Sequence, residues 1–256
     1  MTKNVFIIGL DDFQRQKLAT IHNADRYAFH GLLGFDTVVK PQDFSFQDLL
    51  NQARRELQNF PGSVDAIIAH WDFPTSVLGP ILCREYGIPS PSLESVLKCE
   101  HKYWSRVEQQ RVIPECVPRF FLFDPFDNQA VNKIELEFPF WIKPVKSFAS
   151  QLGFKINNEG EFRQAQAEIC EGITKIGSAF DEVLHMVDLP SDIRAATGIS
   201  CIAEEIISGI QAAPEGAVFQ GEYKVHGVID MPKDRHGKSF SRYQYPSTFP
   251  EKYNSE

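Results

Sequence analysis

Strand and helix signals alternate through roughly the first hundred residues, and this alternation constrains the fold more than any other feature. Successive strands joined through helices form a parallel sheet with helices on both faces. Val5 to Ile8 is an unbroken apolar run ending at Gly9, as expected of a strand buried on both sides. Asp11 or Asp12 can cap the helix that follows, to about Ile21. Tyr27 to Leu33 reads as a second strand. Ser45 can cap a helix whose apolar positions Phe46, Leu49, Leu50, Ala53 and Leu57 follow the helical period. Ala66 to Ala69 is a third short strand. A helix is predicted over Thr75 to Tyr86, with Gly87 as its left-handed terminator and Pro89 just beyond.

This arrangement is Rossmann-like, so dinucleotide binding is the first function to test. The turn after the first strand reads IIGLDDF, which holds Gly9 alone where G-x-G-x-x-G is required. Without the second glycine the backbone cannot approach a pyrophosphate, and Asp11 and Asp12 repel one. NAD or FAD binding is disfavoured here.

The second half mixes elements. Ser92 to Arg111 is helical and charged, and a Pro-punctuated IPECVP connection leads into a strand over Arg119 to Phe123. Phe138 to Lys143 is another strand. Asn158 with Glu161 is a capping-box start to a helix running towards Ile169. Cys201 to Ile207 is strand-like, and Tyr223 to Asp230 with Ser239 to Tyr245 suggests a hairpin across the loop ending at Gly237.

Composition narrows the function classes. Lys plus Arg total 26 against 34 for Asp plus Glu, a net charge of −8, and no basic run offsets it. Such a surface repels phosphate backbones, so no nucleic-acid partner is expected. The 5 cysteines are scattered without C-x-x-C or zinc-like spacing, which fits reduced thiols and a cytoplasmic setting. No signal peptide is recognisable, and no segment approaches the roughly 20 apolar residues of a membrane span.

Three segments carry chemistry. In PSLESVLKCEHK, Lys102 lies on a helical stretch, where a solvated face is the plain alternative. In FPFWIKP, Lys143 ends an apolar strand and precedes the small polar stretch Ser147 to Gly153. An ammonium there is costly unless an anion receives it, and a loop of Ser, Ala and Gly can offer N–H groups and hydroxyls to phosphates. The alternative is a lysine that snorkels to water. In IAEEIISGIQ, a strand turns at Ser208 and Gly209, and its edge can present a carbonyl and an N–H to an adenine ring. The alternative is an edge strand with two solvated glutamates, Glu204 and Glu205. His226 reads as a strand histidine with satisfied hydrogen bonds, and Glu94 and Glu100 as partners in surface ion pairs. Neither a G-x-S-x-G elbow nor a G-x-x-x-x-G-K-[ST] loop is present.

Taken in order, these segments resemble the ATP-grasp superfamily, in the arrangement of the biotin carboxylase-like and D-alanine ligase-like enzymes. The resemblance also includes the DAIIA…GIPSPS passage from Asp65 to Ser92 and spans essentially the whole chain. It implies an α/β protein: a Rossmann-like pre-ATP-grasp domain over 1–98, connecting helices and a nucleotide-binding subdomain over 99–210, and the start of a C-terminal sheet over 211–256. By position, Lys102 and Lys143 match the lysines that contact ATP, and Ser147, Ala149, Ser150 and Gly153 lie in the loop over the phosphates. Glu205 through its carbonyl and Ile207 through its N–H match the adenine hinge, with Glu204 and Ile206 beside them. Gln211 stands where many relatives place a ribose-binding glutamate. The implied activity converts a carboxylate to an acyl phosphate for attack by an amine or thiol.

The sequence also departs from the family. The phosphate loop contains Phe148 and a single glycine, and Gln211 is a weaker, neutral ribose partner. The strands bearing the magnesium acid and Glu-x-Asn pair of the family are not found. Glu251 and Asn254 are three apart in a polar tail and do not qualify, so the chain reads as truncated. Mg2+ is expected of the family, yet its ligands are missing here, and the alternative function is a non-catalytic nucleotide-binding or scaffold protein.

Overall fold

The computed structural model describes residues 2–39, 44–147, 151–233 and 240–249. The chain divides into two compact units, Met1–Glu205 and Ile206–Glu256. The first unit opens with β1 (Lys3–Ile8), α1 (Asp12–Leu18), β2 (Tyr27–Leu32), α2 (Phe35–Val39), α3 (Phe46–Gln58), β3 (Ala66–Ile68) and α4 (Thr75–Glu85). These strands form a parallel sheet in the order β2-β1-β3, with Val5 opposite both Phe29 and Ala66. The central place of β1 explains why its apolar run does not alternate. Phe6 and Ile8 face one core, and Val5 and Ile7 face a smaller one on the other side.

The helices start and stop where their residues direct. The Ser45 hydroxyl accepts a hydrogen bond from the Asp48 N–H at 3.3 Å, and all five periodic apolar side chains of α3 are buried. Each of those leucines contributes about 2 kcal/mol by leaving water. Helix α4 ends with Gly87 at φ +66° and an Ile88 N–H to Cys83 C=O bond of 2.8 Å.

The helical stretch after Ser92 is two helices rather than one: α5 (Leu93–Glu100) and α6 (Lys102–Val112), broken at His101. His101 takes extended backbone angles (φ −84°, ψ 101°) and serves as the C-cap of α5 and the N-cap of α6. Then come β4 (Phe120–Phe123), α7 (Ala130–Lys133), β5 (Phe140–Pro144), β6 (Phe154–Ile156), α8 (Glu159–Gly172), α9 (Thr174–Leu184) and β7 (Cys201–Glu205). Strands β4, β7, β5 and β6 form an antiparallel sheet in that order. Strand β5 alternates: Phe140 and Ile142 are buried in a core that includes Phe162, Ala165 and Ile169 of α8, whereas Trp141 and Lys143 are on the opposite face. Strand β7 is internal to the sheet, which corrects the edge-strand reading: Glu204 is buried there, whereas Glu205 at the strand end keeps a half-exposed side chain.

The second unit holds a hairpin that the sequence reading did not include. It is formed by β8 (Ala212–Phe219) and β9 (Glu222–Asp230), joined at Gln220 and Gly221 with φ of +52° and +84°. Two consecutive left-handed residues suit a tight two-residue connection. Pro214 and Gly216 hid β8 in the sequence, and the ladder accommodates them with a register shift between Glu215 and Gly216. The segment expected to pair with β9 contributes isolated bridges, Asp230 to Gln244 and Lys233 to Phe240. The predicted turn through Gly237 lies outside the described residues.

Candidate functional site: a lysine cluster at the end of β5

Strand β5 delivers Lys143 to the sheet face that does not bear the α8 core. In the β5–β7 register Lys143 lies opposite Ile202, so Glu204 is its diagonal neighbour on the same face. The two side chains form an ion pair, and the Arg106 Nε from α6 donates to Glu204 Oε1 at 2.6 Å. Burial pushes the Glu204 carboxyl upward, but Lys143 and Arg106 outweigh it and hold it below the usual carboxylate range. Lys143 is therefore held by a carboxylate and does not simply reach into water.

Lys102 is not on a solvated face either. The break at His101 places it at the first position of α6, facing the connection that leaves β5. Its ammonium donates to the Ser147 carbonyl at 2.7 Å and to the Ser147 hydroxyl at 3.2 Å, and its backbone N–H donates to Val145 C=O at 2.9 Å. Among the described residues its ammonium makes no carboxylate ion pair; those at the site belong to its neighbours. Burial first, then the charges of Lys146 and Lys143, push its pKa down to about 7, with Glu100 and Asp72 offsetting part of the shift. Among the described residues two of its three ammonium hydrogens have acceptors, and the third has none.

His101 makes this geometry rigid. Its Nδ1 accepts from the Trp104 N–H at 3.2 Å, so Nε2 carries the proton and donates to the Ala196 carbonyl at 3.1 Å. Burial pushes this imidazole down to about 4, which keeps it neutral beside two lysines.

Sequence reasoning missed Lys146 and Arg106. Lys146 is 4% exposed, forms ion pairs with Glu100 and with Asp72 (3.8 Å), and lies 5.6 Å from the ring centre of Phe73 and 5.8 Å from that of Phe180. Glu100 is thus a partner of a buried lysine rather than of a surface one, whereas Glu94 does pair along α5 with Lys98 at 2.9 Å. One signal for Arg106 was available: it lies four residues after Lys102 on α6, hence on the same helix face. No comparable periodicity marks Lys146, which belongs to a loop.

The other candidates fall as follows. Glu205 accepts from the Arg119 backbone N–H at 3.1 Å and ends β7. Gly153 precedes β6, next to Leu152 at φ +54°. Ile206, Ile207 and Gln211 belong to the second unit, where Ile207 is 64% exposed and the Gln211 carbonyl accepts from the Met231 N–H at 3.0 Å. Ala149 and Ser150 lie outside the described residues. His226 is exposed on β9. Among the described residues no group of three or more His, Cys, Asp or Glu side chains is placed to hold a metal ion, and no helix is long and apolar enough to cross a membrane.

No protein-family model matches the sequence, and no curated relative matches it. Solved structures do match. L-amino acid ligase from Bacillus licheniformis superposes with a TM-score of 0.64 at 15% identity, over 98% of this chain and 56% of that one. VanG D-Ala:D-Ser ligase from Enterococcus faecalis gives 0.61 at 14%, over 98% of this chain and 78% of that one. An ADP complex of N5-carboxyaminoimidazole ribonucleotide synthetase gives 0.61 at 14%, over 97% and 59%. This chain therefore spans little more than half the length of two of the three. All three are ATP-grasp enzymes, and the chain shares their fold over the matched length.

Proposed function

We propose that this chain binds ATP through the lysine-lined end of β5, as the nucleotide-holding portion of a carboxylate–amine or carboxylate–thiol ligase. The observation that carries the reading is Lys102: a largely buried ammonium with a hydrogen to spare, without a carboxylate partner among the described residues, between Lys143 and Lys146. A polyphosphate satisfies such a group better than any neutral ligand, because each anionic oxygen restores the charge that burial disfavours. In this reading Lys102, Lys143 and the Ser147–Gly153 loop hold the phosphates. By their order in the sequence, Glu204, Glu205, Ile206 and Ile207 would supply the adenine hinge and Gln211 the ribose contact. Residues 1–98, with the parallel β2-β1-β3 sheet, act as the Rossmann-like lead domain, and 99–210 as the nucleotide-binding subdomain. The fold shared with these enzymes, one of them solved with ADP, supports the choice of nucleotide and of a carboxylate as the phosphoryl acceptor, with ADP leaving. Among the described residues no group of three or more His, Cys, Asp or Glu is placed to hold a metal ion, and the binding reading requires no protein-held ion.

A second reading, a nucleotide-binding protein without ligase chemistry, is favoured by Gln211, whose neutral amide makes a weaker ribose partner than a carboxylate. A thermal-shift titration separates these readings from none at all. ATP at about 100 times its dissociation constant should stabilise the fold by roughly 2.7 kcal/mol, and Lys102→Met should abolish most of the shift. Inorganic triphosphate run in parallel tests the phosphate contacts without the hinge. A cooperatively melting wild type that gains nothing from ATP would sink the proposal. Phosphate release from ATP in the presence of mixed amino acids then distinguishes ligase from binder.

A further inference from the structure

Lys146 is absorbed by neither the fold nor the nucleotide reading. A lysine 4% exposed is costly unless it is paired, and this one is held on two sides by carboxylates from different elements. Glu100 ends α5, Asp72 lies between β3 and α4, and Phe73 and Phe180 flank the ammonium with their rings. The ammonium is thus paired with Glu100, faces the Asp72 carboxylate and is packed against two rings. Its backbone neighbours, in contrast, make the site: Val145 C=O accepts the Lys102 N–H, Val145 N–H donates to Ser200 C=O at 2.9 Å, and Ser147 receives the Lys102 ammonium.

We propose that Lys146 is a positioning residue: pinned by Glu100 and Asp72, it fixes the connection leaving β5, whose Val145 and Ser147 on either side of it hold Lys102, and so places a second positive charge beside the ammonium that would receive a phosphate. This rests on the nucleotide reading above. Among the described residues, the charged groups that act most on Lys102 belong to that arrangement. Lys143 comes from β5, Lys146 from the connection after it, Glu100 and neutral His101 from the α5–α6 junction, and Asp72 from the end of the parallel sheet. Glu204 and Arg106 act behind Lys143. The two lysines drive the Lys102 proton off, whereas Glu100 and Asp72 retain it. Phosphate binding needs the protonated form, so affinity falls as pH rises through the Lys102 pKa, by at most tenfold per pH unit for one proton.

The test is the ATP dissociation constant from about pH 6.5 to about pH 9.5 for wild type, Lys146→Gln and Asp72→Asn, with [13Cε]lysine NMR of Lys102 in the ligand-free proteins over the same range. Lys146→Gln should move the alkaline fall in affinity to higher pH. Asp72→Asn, at a side chain 64% exposed, should move it to lower pH. The free-protein Lys102 titration should follow in the same directions. A merely structural lysine would change affinity without moving the limb. Limbs and Lys102 titrations that coincide in all three proteins overturn the proposal while leaving ATP binding intact. Wild type that binds no ATP overturns the nucleotide reading instead, and the Lys102 titration then still decides the coupling. If Lys146→Gln does not fold, Asp72→Asn carries the same decision.

Discussion

Two turns in this molecule follow a buried strand and invite comparison as phosphate sites: the one after β1 and the one after β5. The β1 turn has the glycine. Gly9 sits at φ +70°, but its carbonyl already accepts the Trp71 indole N–H at 3.2 Å, and a Cβ there would lie 2.8 Å from Val38 Cγ2. Asp11 is consumed in a reciprocal cap with Gln14, its carboxylate accepting the Gln14 N–H at 2.7 Å. The turn is therefore filled by its own side chains and lined with acid. The β5 turn lacks the glycine signature but sets Lys102 on Ser147, within reach of the charges of Lys143 and Lys146. Charge and free donors distinguish the two turns more clearly than backbone freedom does.

The largest expected effect breaks the charge side of that comparison. Glu204→Ala leaves Lys143 and Arg106, both only about a quarter exposed, without their shared carboxylate. Removing one partner of such a buried pair costs about 3 kcal/mol, read as a lower urea midpoint with an unchanged slope. A loss under about 1 kcal/mol would mean that the cluster is solvated and its lysines are ordinary surface groups.

How much of this was legible follows from the same contrast. The parallel sheet, the caps at Asp11, Ser45 and Asn158 and the terminator at Gly87 depend on local spacing, and local spacing is visible in a sequence. Lys102 and Lys143 were visible as candidates, but their surroundings were not. The break that turns Lys102 inward occurs at His101, without glycine or proline, because a buried imidazole supplies the cap from its side chain. Lys146 carries no periodicity and is defined by partners 46 residues away at Glu100 and farther off at Asp72. Glu204 looked solvated because one strand alone does not reveal whether it is internal to its sheet. Strand β8 was hidden by Pro214 and Gly216, residues that weaken a strand in isolation and are tolerated where a bulge receives them.

Gly9→Ala tests the other side. The left-handed backbone costs an alanine about 1 kcal/mol or more, and its methyl would also press on Val38 and on Trp71 Cδ1 at 3.3 Å. We expect a loss of about 2 kcal/mol in denaturant unfolding, with the ATP dissociation constant unchanged at a pH and temperature where the variant is fully folded. Weakened ATP binding in that folded variant would place the β1 turn in the nucleotide site and break the comparison.

The smallest effect sharpens what Asp11 does there. As a cap, it is replaceable by asparagine but not by alanine: Asp11→Ala should cost about 1 kcal/mol and Asp11→Asn only a few tenths. As a charge, it acts on His70, whose imidazole burial pushes down and Asp11 draws back up. Both variants remove that charge, so both should lower the His70 pKa equally in an NMR titration, although they differ in stability. Equal stability losses would instead assign Asp11 an electrostatic role, and the acid lining of the β1 turn would then stabilise the fold through its charge rather than through one hydrogen bond at the start of α1.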